Sequence, residues 1–199
     1  MAELLSSLGG RFACRQFKSQ PVTEVELGLV LEAGRIAPSA YGIEPWRFIV
    51  AQTAPAKDKV AAACFNQSPA TTAPVMIAIV ARIEAAAPGT AFSEARLLAE
   101  AGSMPIEELR EMYRGFHAQI EPKSWAIAQC NFAAAQMMVQ ATALGLATCP
   151  MGGFDEAALA AALGLPQGET PALVLALGHC AQAQGERRRQ GMDEVVTAI

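Results

Sequence analysis

The sequence lacks the features that mark a membrane protein or a secreted, disulfide-linked domain. No apolar run is long enough to span a bilayer, and the N-terminus lacks the cationic and apolar segments of a signal peptide. The five cysteines are widely scattered and include no C-x-x-C pair; they are Cys14, Cys64, Cys130, Cys149 and Cys180. We therefore expect no contact with a membrane, no metal site, no disulfide framework, and a reducing cytoplasmic location.

Positive charge is also scarce. Lysine and arginine number 15 against 19 acidic residues, a net charge of −4, which argues against nucleic acid as the main partner. There are no repeats, low-complexity segments or long linkers, so residues 1–199 are expected to form a single domain. The chain is rich in apolar residues, with 52% hydrophobic residues and a mean hydropathy of +0.25, and would expose much apolar surface if it were unfolded. That surface must be buried inside the protomer or between subunits.

One loop stands out at residues 37–46, APSAYGIEPW, and we call it the proline loop. It follows a helical pattern and precedes an apolar run at residues 46–51 that predicts a buried strand. Pro38 and Pro45 each bias the preceding residue away from helix, so they are expected to end the helix and open the strand. The small residues between them let the backbone approach a flat ligand closely. An ordinary helix-to-strand connection would show the same pattern.

A basic segment lies near the N-terminus. If it is extended, Arg11, Ala13 and Arg15 share one face, while Phe12 and Cys14 share the other. Two guanidinium groups on one face suit a phosphate, because arginine binds it in planar, bidentate geometry. A solvated charged edge is the alternative.

Further patterns predict most of the remaining elements. Thr23 and Glu26 form a capping box at a helix start, and Asp155 is expected to cap another helix. Helices are expected at residues 1–8, 56–64, 127–144 and 156–163, and strands at 74–81, 171–177 and 195–197. The helix at 127–144 is apolar all round, so it should be buried. Its many alanines allow close helix packing and indicate a subunit interface.

Several motifs in a fixed order resemble the FMN-dependent nitroreductase family. They are Arg11-x-x-x-Arg15-x-Phe17, Pro21-Val22, the loop continued to Phe48, Trp125-x-x-x-Gln129, the segment from Pro150 to Asp155, Leu163-Gly164-Leu165-Pro166, and Gly178-His179 followed by Arg187-Arg188-Arg189. The resemblance covers essentially the whole chain and is weakest at residues 84–120. In that family this region caps the substrate pocket.

The resemblance implies an α+β fold with a mixed, mainly antiparallel central sheet flanked by helices. It implies a homodimer whose C-terminal strand is exchanged between subunits. It also implies an FMN-dependent NAD(P)H oxidoreductase, in which NADH or NADPH passes hydride through FMN, by a ping-pong scheme, to a small-molecule oxidant such as a nitroaromatic or a quinone. Because the chemistry belongs to FMN, no catalytic residue of the protein is expected.

The resemblance further implies which residues bind the cofactor. Arginines neutralise the phosphate, Asn66 contacts the pyrimidine edge, Gly152 and Gly153 present backbone near flavin N5, and the proline loop comes from the other subunit. The expected set is Arg11, Phe12, Ala13, Arg15, Pro38, Ser39, Ala40, Gly42, Asn66, Pro150, Met151, Gly152, Gly153, Arg187 and Arg189. A plain turn at Asn66 and a solubilising tail at the basic run are the alternatives.

Several positions depart from the family pattern. Ala13 stands for a common Ser, Gly42 for Asn, Glu44 for Gln and Gly152 for Glu. An ionised Glu44 facing the flavin would disfavour its anionic reduced form. Other hypotheses therefore stay open: a specialised member, such as a dehalogenase or a flavin-modifying enzyme, a non-catalytic FMN-binding carrier or regulatory dimer, or a purely structural α+β dimer.

Overall fold

The computed structural model describes residues 3–199. The bounds of the helix expected at residues 1–8 were wrong, because residues 3–5 are not helical and the first helix begins at Ser6; residues 1 and 2 of that prediction lie outside the described residues. The helices are α1 (Ser6–Gly10), α2 (Glu24–Arg35), α3 (Ala54–Ala63), α4 (Ser68–Thr72), α5 (Ala91–Glu100), α6 (Ile106–His117), α7 (Pro122–Ala143), α8 (Glu156–Leu163) and α9 (Met192–Val195). The strands are β1 (Trp46–Ala51), β2 (Val75–Arg82), β3 (Ala147–Met151) and β4 (Glu169–Gly178). A short 3-10 helix spans Ala40–Gly42.

The four strands form one antiparallel sheet in the order β1-β2-β4-β3. The central strands β2 and β4 are almost wholly buried, as expected for strands covered on both faces. Strand β3 lies at an edge, where Pro150 is tolerated because it needs no ladder donor on its outer side. Beyond that edge, Ala13 makes a parallel bridge to Thr148. The α+β, mainly antiparallel architecture expected from the sequence is confirmed.

Helices pack on both faces of the sheet. On one face α2 and α7 bury a cluster that includes Val30 and Met137, together with Ile77 of β2. On the other face α3 and α8 bury a second cluster that includes Leu159, together with Ala78 of β2. Neighbouring residues of β2 thus enter opposite clusters, which follows from the two-residue repeat of a strand.

Close packing of α2 on α7 fixes where the proline loop begins. A Cβ added at Gly34 would lie 2.2 Å from Met137 Cε, so the absence of a side chain at Gly34 allows this approach. The alanines of α7 were expected to permit such contact. However, α7 is not buried all round within the chain, because Phe132 on its outer face is 50% exposed.

The strands expected at residues 46–51, 74–81 and 171–177 correspond to β1, β2 and β4, whereas β3 was not predicted. Thr23 and Glu26 form the capping box of α2, and Asp155 caps α8. The prediction of a strand at residues 195–197 was wrong, since Val195 ends helix α9 (Met192–Val195) and the next two residues form no strand. Its first turn is held by Glu194, whose carboxylate accepts a hydrogen bond from the Gly191 amide. Within residues 3–199 the sheet also offers these residues no pairing strand.

The segment at 84–120 carries α5 and α6, which build a third buried cluster against the proline loop. Ile43 from the loop and Tyr113 from α6 are both fully buried there. The ring centroids of Tyr41 and Tyr113 are 5.3 Å apart in an edge-on arrangement, a geometry favoured by aromatic quadrupoles. Searched across residues 3–199, the helices include none with the length and apolar character needed to cross a bilayer.

Candidate functional site

Two segments distant in sequence run side by side at the edge of the sheet. We call residues 11–17 and 179–189 together the basic wall. The Ala181 amide donates to the Gln16 carbonyl at 2.8 Å, and the Lys18 amide donates to the His179 carbonyl at 2.8 Å. These backbone bonds continue the sheet beyond β3 and fix the register of the two segments.

A disulfide joins the two segments of the basic wall. Cys14 and Cys180 are bonded to each other, with their Cα atoms 5.8 Å apart, within the usual range for a disulfide. The expectation of no disulfide was therefore wrong for this pair. Spacing could not reveal it, since 166 positions separate the two cysteines and only the folded ladder brings them together.

The basic wall encloses an open cavity of about 430 Å³. Its lining residues are Arg11, Phe12, Ala13, Arg15, Gln182, Ala183, Gln184, Gly185, Glu186, Arg187, Arg188 and Arg189. Five of these are arginines and one is acidic, so the cavity is strongly cationic although the chain is acidic overall. The structure thus brings together the four arginines singled out in the sequence, together with Phe12 and Ala13. Their role as phosphate ligands stays a prediction.

Arg187 has a structural role in this wall. Its guanidinium donates to the carbonyls of Gly9 at 2.8 Å and Arg11 at 2.6 Å, and to that of Leu8 at 3.3 Å. Leu8 and Gly9 belong to α1, whose C-terminal carbonyls carry partial negative charge. Arg187 therefore fastens the C-terminal segment to the first helix.

The glycine pair is connected to the basic wall through α4. The Gln67 side-chain amide donates to the Gly153 carbonyl at 2.7 Å, and the Ser68 hydroxyl donates to the Arg15 carbonyl at 2.7 Å. Pro150 and Met151 end β3 just before the glycines, and a Cβ added at Gly152 would meet nothing within 4 Å. Arg15, Gln67 and the exposed Gly152–Gly153 backbone therefore form one continuous surface.

Asn66 lies in a different environment from its neighbour Gln67. It lines a separate cavity with Lys57 and Thr71, and both Phe65 and Asn66 have left-handed backbone angles. The Phe65 amide donates to Ala62 and the Asn66 amide donates to Ala61, which is the Schellman pattern that ends a helix. The turn role left open for Asn66 is thus visible, and its flavin contact stays a prediction. Gln67 was missed, although its place just before the Ser-Pro start of α4 marks it as a cap position.

The proline loop is strained and is held by side chains. We call residues 38–45 the strained loop, because Tyr41, Gly42 and Glu44 have φ of 56°, 58° and 49°, a region that non-glycine residues rarely adopt. The Ala40 amide donates to Gln129 Oε1 at 2.9 Å. The Glu44 amide donates to Ser39 Oγ at 2.8 Å.

The strained loop lines a cavity of its own. The lining residues of this cavity of about 260 Å³ are Pro38, Ser39, Ala40, Gln129 and Phe132. None of them lines the cavity of the basic wall. Within one chain the predicted site residues therefore line three different cavities, one at the basic wall, one at the strained loop and one at Asn66.

The free cysteines are not arranged for nucleophilic or metal chemistry. Burial raises the pKa of Cys64 to about 11 and that of Cys130 to about 12. Burial also raises the pKa of Cys149, and the charge of Arg15 offsets part of that rise. These thiols are protonated at neutral pH and are poor nucleophiles. No cluster of three or more His, Cys, Asp or Glu residues that could hold a metal ion occurs in the described part of the chain.

Fold and site together define an α+β protein with a cationic cavity that Gln67 and Ser68 connect to an exposed glycine pair. A family model described as "Nitroreductase family" matches residues 8–179. The chain therefore belongs to the nitroreductase family, as its motifs predicted, and this membership supports an oxidoreductase.

Individual relatives agree with this assignment. An NADH dehydrogenase from Thermus thermophilus is 30% identical over 188 residues, covering 94% of this chain and 91% of the relative. A nitroreductase-like protein from Streptococcus mutans superposes with a TM-score of 0.86 at 22% identity, covering 98% and 97% of the two chains. A protein from Exiguobacterium sibiricum, solved in complex with FMN, superposes with a TM-score of 0.80 at 21% identity, covering 100% and 98%.

Proposed function

We propose that this protein is an FMN-dependent NAD(P)H oxidoreductase of the nitroreductase type. One observation carries the proposal: Arg11, Arg15 and Arg189 converge on one cationic cavity, and hydrogen bonds of Ser68 and Gln67 connect Arg15 to the exposed Gly152–Gly153 backbone. A phosphate group and a flat ring system are the two chemical features of FMN that such a surface accommodates. The family membership and the FMN complex of a structural relative support the same proposal.

The residues present fit the phosphate end of FMN. Arginine guanidinium groups bind phosphate oxygens in bidentate fashion, and the cavity places five of them against a single carboxylate, that of Glu186. Arg187 is partly committed to the carbonyls at the end of α1, so Arg11, Arg15 and Arg189 are proposed as the main phosphate ligands. Ala13 lacks a hydroxyl, which removes one neutral hydrogen bond of about 1 kcal/mol.

The residues beyond the phosphate end fit a ring system. Gly152 exposes backbone with open space where a side chain would be, so a flat ring and a second flat substrate can approach it. Gln67 offers a side-chain amide fixed against Gly153, and we propose it as a contact to the flavin edge. Asn66 lines a different cavity within the chain, so its contact with the pyrimidine edge stays a prediction. When bound, FMN would supply electron transfer from NADH or NADPH to a nitroaromatic, a quinone or a similar acceptor. The protein's part is to bind, orient and tune the cofactor.

A homodimer would complete the site. A groove of about 360 Å³ runs between α2 and α7 and is lined by Ala33, Ile36, Ala135, Gln136, Val139 and Gln140. Within this groove Ile36 is 60% exposed. An exposed, mainly apolar groove is typical of an interaction surface. In the proposed dimer this face pairs with the same face of a second copy. The cavity of the basic wall in one subunit then receives the proline-loop residues Pro38, Ser39, Ala40 and Gly42 of the other subunit. The C-terminal residues that follow β4 are exchanged between the subunits.

The test is the absorption spectrum of the purified protein, recorded anaerobically before and after adding NADH or NADPH. We expect flavin bands that bleach with at least one nucleotide, and a dimeric mass by sedimentation. Flavin bands that persist with both nucleotides would favour the non-catalytic carrier. A protein that binds no FMN even when FMN is supplied would overturn the proposal.

A matched pair of arginine variants sharpens the test. Arg15→Gln removes a charge from the basic wall, whereas Arg114→Gln removes one from the surface of α6, where Arg114 pairs with Glu111. Losing a charge-assisted hydrogen bond should weaken FMN binding about tenfold or more. Titration of apoprotein with FMN should therefore separate Arg15→Gln from wild type, while Arg114→Gln binds as wild type does. Equal affinities in all three proteins would remove Arg15 from the site.

A further inference from the structure

Arg96, in the segment that the sequence left hardest to interpret, makes contacts with the strained loop. It lies on α5, and its Nε donates to the Gly42 carbonyl at 2.9 Å. Its Nη2 donates to Glu44 Oε1 at 2.7 Å and lies 3.7 Å from Glu100 Oε1. One guanidinium thus holds both a backbone group and a side chain of the same turn.

These contacts hold the part of the loop where the backbone is most strained. Two non-glycine residues of the turn, Tyr41 and Glu44, have positive φ, and such angles in non-glycine residues persist only when the surroundings impose them. Gly42 is also confined sterically, since an added Cβ would lie 2.2 Å from Glu100 Cγ. Ile43 anchors the turn in the third buried cluster beside Leu97 of α5. Helix α5 therefore sets the shape of the turn.

The same contacts reach the cavity of the strained loop through one further hydrogen bond. Arg96 fixes Glu44, the Glu44 amide donates to Ser39 Oγ at 2.8 Å, and Ser39 lines that cavity with Pro38 and Ala40. A change at Arg96 is thus transmitted to the residues proposed to contact FMN.

Arg96 also sets the charge of the loop. The side chains of Arg96 and Glu44 are 26% and 31% exposed, so their attraction is only partly screened by water. The other charged groups close to Glu44 are Glu100, and Arg35, which is mainly paired with Glu32. Without Arg96, two carboxylates would share this turn and Arg35 would be the nearest compensating cation.

We propose that Arg96 is a positioning residue that shapes the strained loop and cancels the negative charge of Glu44 toward the cofactor. This inference rests on the proposed FMN function. It accounts for an acidic residue at position 44, where the family commonly has the neutral Gln: the charge is tolerated because α5 supplies its partner.

The experiment compares wild type, Arg96→Gln, Arg96→Lys, Glu44→Gln and the double variant Glu44→Gln/Arg96→Gln. Two quantities are measured: the dissociation constant for FMN, by titration of the apoprotein, and the midpoint potential of bound FMN, by equilibration with redox dyes. Circular dichroism and thermal unfolding establish which variants fold.

The expected results separate charge from shape. Arg96→Gln leaves Glu44 uncompensated, which disfavours added electrons, so the potential falls below that of wild type. Glu44→Gln leaves Arg96 without the Glu44 carboxylate, so its potential rises above that of wild type. The double variant carries no charge at either position, the same net charge as the wild-type pair, so its potential returns to near that of wild type. Arg96→Lys keeps the charge but lacks the planar fork, so its potential stays near wild type while FMN binds about tenfold more weakly, as expected when a charge-assisted hydrogen bond is lost.

Two failures are distinguishable. If wild type binds no FMN, the proposed function fails and this inference fails with it. If wild type binds FMN but folded Arg96→Gln has the same affinity and potential, only the role of Arg96 is overturned. If Arg96→Gln does not fold, Arg96→Lys and the double variant decide through their FMN affinity, because both lack the guanidinium fork: weaker binding than wild type in both supports the role, and wild-type affinity in both overturns it.

Discussion

The basic wall and the strained loop are held in place by different means. Backbone hydrogen bonds and the Cys14–Cys180 disulfide fix the wall, while most of its arginine side chains remain directed at the cavity. Side chains from α5 and α7, those of Arg96 and Gln129, fix the loop. A region fixed through its backbone leaves its side chains available to a ligand. A region fixed by distant side chains makes those distant residues part of the site.

Removing the covalent link should have the largest effect on this comparison. We expect Cys14→Ser/Cys180→Ser to lower the free energy of unfolding by about 2–5 kcal/mol, because a long loop in the unfolded chain is no longer closed. Urea denaturation measures the change. Reductant should lower the midpoint for wild type and leave the double variant unaffected. A wild-type midpoint that reductant does not change would show that the wall is held by its backbone bonds alone.

Removing the acceptor of Gln129 tests the strained loop. Gln129→Met keeps the size of this buried side chain but leaves the Ala40 amide without its partner. We expect a loss of about 1–3 kcal/mol in the free energy of unfolding. Gln140→Met, on the same helix but lining the groove toward α2, is the matched control. Equal effects of the two substitutions would show that the loop does not depend on the Gln129 bond.

Alkaline pH should lower the free energy of unfolding through Tyr113, whose ring packs against Tyr41 of the strained loop. Burial raises the pKa of Tyr113 from 10.0 to about 12, so between those values the unfolded chain loses a proton that the folded chain keeps. The free energy of unfolding therefore falls as pH rises through this range. Cys64 and Cys130, whose pKa values are raised from 9.0, begin the decline earlier.

Tyr113→Phe isolates the tyrosine contribution. It removes the hydroxyl that donates to the Ala86 carbonyl, which should cost about 1 kcal/mol at neutral pH. Above pH 10 the decline should be shallower than in wild type, as measured by urea denaturation at successive pH values. Parallel curves for the two proteins would assign the alkaline loss to the thiols.

Three of the four strands could be predicted from the sequence because they are apolar runs bounded by turn residues, whereas β3, which contains Pro150, was not predicted. Strand β1 begins and ends where the run after Pro45 does. The structure of the C-terminal residues was predicted wrongly as a strand, because Val195, Val196 and Thr197 are residue types that favour strands. A strand also needs a neighbour to pair with, and local helix capping by Glu194 prevailed instead.

Convergence on the cavity was predictable for Arg11 and Arg15 from their charge and alternate spacing, and for Arg187 and Arg189 from the family resemblance. Their role as FMN ligands stays a prediction. Gln67 and Arg96 act through the residues that they touch, Gly153 and Glu44, and no local pattern indicates such partners. Phe65 at a left-handed helix end was also unpredictable, since glycine is usual there.

The bond between Cys14 and Cys180 makes most of the chain a closed ring, with only the residues before Cys14 and after Cys180 outside it. A protease that cuts the exposed turn at residues 102–105, between α5 and α6, would break the backbone once without releasing a fragment. The two pieces would migrate as one band on a non-reducing gel and as two bands after reduction. In an oxidising environment a single cut would therefore leave the two pieces covalently joined. The hydrogen bonds of the sheet and of the basic wall could then keep the cut molecule folded.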